Sequence, residues 1–295
     1  MTAGCGWAGV STFSILSELK NHPSSYLCCS SQTYQVYVSR TVALAYLPVI
    51  IAKRQMQLYN LTQIKQVLDD ETSYDEVIQV IANSFALLDS GRVELAPVVH
   101  LGPFDLQKIG QMDDACIKAG SVRGGEHFVI KIATGGFSQN VENNLPTGDG
   151  LMIVFSQQTG QCEGILLDEG WLTDVRTAAA GAVCAQLLAP VVVERIGMVG
   201  TGIQARFQLR LLKRVSTCRS VLLWGRNKKR TNKCQVDLER MGFHVTIATS
   251  VQLLAKECQH IITTTSSTSP LLMDEWVRKL YSRLPPILFY LLKFE

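Results

Sequence analysis

At 295 residues, with 47% apolar and 18% charged side chains, the chain has the composition of a folded globular protein with one large core or two smaller ones. A formal net charge of +3 excludes a molecule that attracts polyanions over its whole surface. Nine cysteines, an odd number without C-x-x-C or other metal-ligand spacing, argue against a disulfide framework and a metal site, and for a reducing, cytoplasmic setting.

Residues 1–55 read as an N-terminal extension, poorly ordered and outside the fold. Their only acid is Glu18, against Lys20, Arg40, Lys53 and Arg54, and they are rich in serine. Organellar transit peptides have a similar composition, which is the alternative address. The apolar block TVALAYLPVIIA (41–52) falls short of the ~20 residues needed to span a bilayer, so no membrane partner is expected.

Residues 56–190 read as an α+β domain. Ser73 and Glu76 have capping-box spacing, and Val77, Ile78, Ile81, Phe85 and Leu88 then recur on one helical face up to Gly91. HFVIKIA (127–133), LMIVFS (151–156) and GILLD (164–168) read as strands, the last two joined as a hairpin through Thr159-Gly160. Thr173 suits the N-cap of an alanine-rich helix that Pro190 ends.

Residues 191–295 alternate strand and helix: strands at 194–199, 220–225, 243–249 and 260–265, helices at 203–214, 231–241 and 251–258. That order predicts a parallel sheet with right-handed crossovers, hence an α/β, Rossmann-type doubly wound domain beside the α+β one. VGTGIQA (199–205) falls at its first strand-to-helix junction. A glycine turn with no ligand has the same G-x-G-x-x-A sequence. Placed between an apolar strand and a helix, it predicts a pyrophosphate cradle: Gly200 for the tight turn, Gly202 for close approach, Ala205 for helix–strand packing.

The second strand decides the nucleotide. It ends in WGRNKKR (224–230), and no Asp or Glu occurs from Ile196 to Cys234, where NAD sites place an acid for the ribose hydroxyl. NADP(H) is therefore preferred over NAD(H), with Arg226 as the 2′-phosphate ligand beside Gly225, Asn227 and Lys228. Ile203, Gln204 and Thr265, at the same end of the sheet, complete the cofactor candidates. A solvated basic face or a nucleic-acid patch is the competing reading; with Trp224 as the one aromatic of WGRNKKR and no nucleic-acid motif, no nucleic-acid partner is expected.

Two cations stand out in the first half. Lys131 interrupts an apolar strand, where it either points to water or meets an anion; taken alone, an outward-pointing edge-strand lysine is the simpler reading. Arg176 lies in the first turn of its helix, where the helix dipole disfavours a cation unless the two share an anion such as a carboxylate.

EHFVIKIATGGFSQN, LPTGDGLMIVFSQQTGQCEGILLDEGWLTDVRTAAAGAVCAQLLAP and ERIGMVGTGIQARFQL, in that order, resemble the ornithine cyclodeaminase/mu-crystallin family from about residue 58 to about 277. ACIKAGSV (115–122) further resembles the branch with ectoine-utilisation proteins. The resemblance implies a homodimerising substrate domain joined to a Rossmann domain, with the active site in the cleft between them. It implies hydride transfer between a nicotinamide and the α-carbon of an amino acid or cyclic imine, as in ornithine cyclisation to proline or ketimine reduction. Lys131 and Arg176 match the family's carboxylate-binding pair, and Gly200, Gly202 and Gln204 its pyrophosphate loop. Where many members have an arginine after a proline, this chain has Val98 and Val99 in ELAPVVHL; Lys118 is the candidate for a third charge. After Trp276 the resemblance stops, and neither Asp274 nor Glu295 matches the family's C-terminal acidic motif. The Rossmann sheet is accordingly expected to be incomplete at its C-terminal end, and a catalytically silent NADPH-binding protein is the alternative function.

Overall fold

A computed structural model describes residues 56–102, 114–137, 140, 143, 145–267, 269–277 and 290–291. The expected N-terminal extension lies outside them, as does Glu295. The chain starts with strand β1 (Gln57–Asn60) and helices α1 (Leu61–Leu68) and α2 (Glu71–Asp89). Strands β2 (Val93–Leu95), β3 (Val99–Leu101), β4 (Asp114–Val122), β5 (His127–Gly135), β6 (Asp149–Ser156) and β7 (Cys162–Leu167) lead to helix α3 (Trp171–Leu188). The sheet order is β1-β7-β6-β5-β4-β2, with β3 also on β4; β1 runs parallel to β7 and the other pairings are antiparallel.

The expected helix in the first half is α2, but Asp70 caps it rather than Ser73. The Asp70 carboxylate accepts from the amides of Thr72 and Ser73 at 2.8 and 3.0 Å, and an ionised oxygen at a helix N-terminus outcompetes a hydroxyl three residues later. Ser90 ends it, and Gly91 takes the left-handed turn beyond at φ 69°. The β6–β7 hairpin turns through Thr159 and a left-handed Gly160, as the turn residues predict.

Alternation along β5 buries Val129 and Lys131 on the face covered by helices, leaving Phe128, Ile130 and Ile132 half-buried on the other. Val129 joins Met152, Val154 and Leu166 under Ile64, Ile78, Val175 and Ala179 in one core. Each fully buried aliphatic side chain contributes about 1.5–3 kcal/mol. Phe207 and Leu211, from the second half of the chain, belong to the same cluster, so the two halves share hydrophobic packing.

The second half runs β8 (Ile196–Val199), α4 (Ile203–Val215), β9 (Ser220–Trp224), α5 (Lys228–Arg240), β10 (His244–Ile247), α6 (Val251–Glu257) and β11 (His260–Thr263), a 3-10 turn at Asp274–Trp276, then β12 (Tyr290–Leu291). Its parallel sheet has the order β10-β9-β8-β11-β12. Every strand and helix predicted here is present. One starts early: α5 begins at Lys228 because the Asn227 side chain accepts from the Arg230 amide and caps it. The expectation of an incomplete sheet is corrected in one respect, because the two-residue β12 pairs with β11 as a fifth parallel strand.

Helices α3 and α4 pack closely across the two halves. Gly181 permits it, since a Cβ there would lie 2.1 Å from Gln208 Oε1. Gln208 Nε2 donates to the Thr177 carbonyl at 3.1 Å, Arg210 reaches Asp69 at 3.5 Å, and Arg214 Nε donates to Asp75 at 2.8 Å. The exposed ion pairs each contribute below about 1 kcal/mol, so buried apolar area dominates this junction. Among the described residues, no helix is long and apolar enough to cross a membrane, and no group of three or more His, Cys, Asp or Glu is placed to hold a metal.

Candidate active site between the two halves

Strands β8, β9 and β11 bring their carboxyl ends, and the loops beginning at Gly200, Gly225 and Thr264, to one edge of the parallel sheet. The strand order reverses between β8 and β11, where open α/β sheets leave a crevice. Gly200 holds φ 121°, and a Cβ there would come within 2.4 Å of the Thr264 carbonyl oxygen, so only glycine lets these loops meet. Gly202 is the N-cap of α4 and has open space where a Cβ would be. No side chain caps the helix, which leaves its positive dipole end facing that space. Ala205 is fully buried, in keeping with its helix–strand packing position. Arg206 stiffens the turn: Nη1 donates to the carbonyls of Thr201 and Gly202 at 2.9 Å each, and the fork is held by Asp237 at 2.7 Å.

Below this edge lies a cavity of 680 Å³, walled by both halves. From the first half come Lys118, Lys131, Thr173, Asp174 and Arg176, among others, and from the second Ile203, Gln204 and Ser266. Lys131 is not an edge-strand residue pointing to water. β5 lies between β4 and β6, and Lys131 is only 2% exposed, lining the cavity together with Gly170, Thr173, Asp174 and Arg176 at the start of α3. Lys118 stands directly opposite it on β4. Like charges in register on neighbouring strands destabilise a sheet unless something negative is shared. Burial, then the charges of Arg176 and Lys118, push the Lys131 ammonium well below its usual range, with Asp168 opposing them. The three candidate catalytic cations thus converge, at the cost of desolvation and mutual repulsion.

The turn before α3 was not anticipated. Thr173 is not the N-cap: the helix starts at Trp171 behind Gly170, and Glu169 and Gly170 are both left-handed at φ 51° and 77°. That turn folds the almost fully buried Asp168 back so that its carboxylate accepts from the Leu172 amide at 3.0 Å. The Thr173 side chain lines the cavity, and its hydroxyl has no hydrogen-bond partner among the described residues. Asp174 and Arg176 both line the cavity from the first turns of α3. Gln204 turns its side chain away from the glycine turn, donating to Asp174 Oδ1 at 2.7 Å and to the Asp174 carbonyl at 3.3 Å.

Of the cofactor candidates, Ile203 and Gln204 line the cavity. Gly200, Gly202, Gly225, Arg226, Asn227, Lys228 and Thr265 do not; they follow the carboxyl ends of β8, β9 and β11. Gly225 packs so closely that a Cβ would meet Thr201 at 2.5 Å. Thr265 Oγ1 accepts from the Ser267 amide at 3.3 Å. Five cations of the acid-free stretch are used internally: Arg206, Arg210 and Arg214 on acids, Lys213 and Arg219 on backbone carbonyls. Arg226, Lys228, Lys229, Arg230 and Lys233 stay exposed around the start of α5. Sequence reasoning missed Asp174 and Asp168. The i, i+2 placement of Asp174 before Arg176 was a readable signal for the first; nothing in the sequence marks the second.

Comparison with known proteins agrees with this architecture. An archaeal alanine dehydrogenase dimer with bound NAD is 25% identical, with a TM-score of 0.65 over 75% of this chain and 64% of that one. The iminosuccinate reductase of Paracoccus denitrificans in complex with NAD+ is 26% identical, with a TM-score of 0.61 over 76% of this chain and 66% of that one. An uncharacterized cyclodeaminase of Sinorhizobium fredii is 34% identical over 194 residues, which are 65% of this chain and 56% of that protein. The chain thus spans little more than half the length of that curated relative. These relatives are named as enzymes, and nothing among them supports the catalytically silent alternative. The model of the ornithine cyclodeaminase/mu-crystallin family matches residues 60–279, and this chain belongs to that family.

Proposed function

We propose that the protein is an NAD(P)-dependent oxidoreductase that moves a hydride between a nicotinamide and the α-carbon of an amino acid or cyclic imine. One observation carries this reading: Lys118, Lys131 and Arg176 converge inside a cavity whose opposite wall is the first turn behind the glycine turn. A substrate carboxylate on those cations relieves their repulsion and restores the charge on Lys131. Pyrophosphate against the amides following Gly200 directs the nicotinamide into the same cavity, and fixing the two reactants there supplies rate through orientation. When bound, the cofactor supplies the hydride; the protein supplies grip, orientation and exclusion of water.

NADP(H) is the preferred cofactor on this reading. The exposed guanidinium of Arg226 stands at the end of β9 with Lys228 and Lys229 beside it and no acid to hold a ribose hydroxyl. The solved relatives named above hold NAD or NAD+, which makes the corner of Arg226 the point of difference to test. The protein acts as a homodimer. The outer face of the first sheet supplies the interface: Phe128 and Phe155 stack there at 4.9 Å, and Leu58, Val99 and Leu101 are about half exposed.

The test is a thermal-shift comparison of NADPH with NADH, followed by steady-state assays with ornithine, alanine and cyclic imino acids. Stabilisation by NADPH and turnover of at least one carboxylate-bearing substrate are expected. No cofactor-induced shift, or turnover that ignores the carboxylate, contradicts the reading.

A further inference from the structure

The cavity holds an acid that the grip on a carboxylate does not use. Of its four lining carboxylates, Asp149 and Glu169 are exposed at the mouth, and Asp114 stands 3.7 Å from His100 with its side chain 38% exposed. Asp174 is half-buried, lines the cavity together with the three cations, and bonds to the helix behind the glycine turn through Gln204. Gln204 Nε2 holds its Oδ1 at 2.7 Å, and among the described residues no hydrogen bond to Oδ2 is found. Gln204 lies two residues beyond the N-cap glycine of α4, so a group that seats the cofactor also aims this carboxylate. A cavity-lining carboxylate with one oxygen held by a neutral amide suits a cationic or N–H-bearing ligand atom.

Resting on the function proposed above, we propose that Asp174 is a catalytic residue that contacts the α-nitrogen of the substrate and exchanges its proton. With the carboxylate of an imino acid on Lys131 and Arg176, the α-carbon lies between them and the cofactor edge, and the nitrogen on that carbon turns to Asp174. In the reductive direction the carboxylic acid gives its proton to the imine nitrogen, and the C=N carbon accepts the hydride from the dihydronicotinamide. One C–H and one N–H bond form, the C=N π bond is lost, the nicotinamide is oxidised, and Asp174 is left ionised. In the oxidative direction the carboxylate takes the proton back from the amine.

The electrostatics agree with that role. Burial pushes the Asp174 carboxyl up to about 6, against the opposing influence of the Gln204 hydrogen bond and the charges of Arg176 and Lys131. Asp168 adds to the rise. Asp114, Cys116 and Lys118 face the same cavity from β4, Asp149 from β6 and Glu169 from the turn before α3, while α4 presents Ile203 and the neutral Gln204. A carboxyl poised near neutrality serves as both acid and base.

Ligand pairs that differ only at the nitrogen test this without turnover: L-proline against tetrahydrofuran-2-carboxylate, and L-alanine against L-lactate, titrated into the full chain saturated with NADPH. In the wild type the amino acid of a pair is expected to bind about 10-fold or more tighter. In Asp174→Asn that preference disappears, while the oxygen analogue binds as before. Equal weakening of both members, or a preference that survives, overturns the proposal but leaves the proposed function standing; failure of both pairs to bind the wild type overturns both. Where reduction of a cyclic imino acid is measurable, kcat/KM is expected to fall above about pH 6 in the wild type. Asp174→Asn loses that limb and about 10²–10³-fold in kcat. A Gln204→Glu variant, folded as judged by its melting curve, separates aiming from proton transfer, because it is expected to move the limb without abolishing it; an unmoved limb contradicts the aiming role.

Discussion

Two clusters of positive charge flank the carboxyl edge of the parallel sheet, and they differ in cost. Lys118, Lys131 and Arg176 lie in the cavity between the halves, with Lys131 almost fully enclosed and opposite Lys118. Arg226, Lys228, Lys229, Arg230 and Lys233 stand in solvent around the start of α5. Charge held in solvent is nearly free energetically, so a fold tolerates it with or without a ligand. Ammonium groups desolvated beside each other cost several kcal/mol, and their retention points to an anion that relieves the cost. The inner cluster is therefore the stronger functional signal, although the outer one is more conspicuous in the sequence.

Lys131→Met breaks this comparison most severely. It is expected to lower kcat/KM by about 10³-fold, since a desolvated charge contact on the substrate is lost. It is also expected to raise stability by about 1–3 kcal/mol at pH 7, because a buried cation is replaced by an apolar chain of similar length. The sign follows from linkage. The folded protein holds the Lys131 proton less tightly than the unfolded chain, so the penalty is full at pH values below the depressed value and lifts as pH rises towards 10.5. Thermal melts at pH 7 of both proteins measure the gain; a fall in melting temperature contradicts the account.

Next in size is the Asp174 carboxyl, raised from 3.8 to about 6. Its folded value lies above its unfolded one, so the stability it gives is full below about pH 4 and lost as pH rises through about 6. Asp174→Asn is then expected to gain up to about 3 kcal/mol over wild type at pH 7.5 and nothing at pH 3.5. Paired melts at those two pH values measure it, and a pH-independent difference contradicts the assignment. Arg226→Ala is expected to weaken NADPH about 10-fold and leave NADH within about two-fold, as fluorescence titration of each cofactor measures. The smallest effect is at Lys229, where alanine is expected to change NADPH affinity by about two-fold and only at low salt.

The Rossmann half was legible because each local signal agreed with the next: apolar strand runs, a glycine turn and amphipathic helices in alternation. Interior sites of the first half were less so. Nothing local distinguishes Lys131 on a central strand from a lysine on an edge, since strand order is decided by pairing over long separations: β4 on one side, β6 on the other. Asp168 reaches the Leu172 amide through two left-handed residues, one of them Glu169, whose conformation no propensity favours. Gln204 occupies a motif position that matches a pyrophosphate loop, yet its side chain reaches across to α3 because the packing of α3 on α4 leaves Asp174 within its reach. Where a function depends on two halves meeting, the sequence of either half names the residues but not the side each one faces.

The central claim is that this cavity grips a carboxylate between Lys131 and Arg176. Dissociation constants of L-proline and prolinamide, and of L-alanine and alaninamide, for the NADPH-saturated protein test it most directly. Within a pair the amide is expected to bind about 10²-fold weaker or not at all, and Lys131→Met to remove most of the difference. Equal binding of acid and amide by the wild-type protein would contradict it.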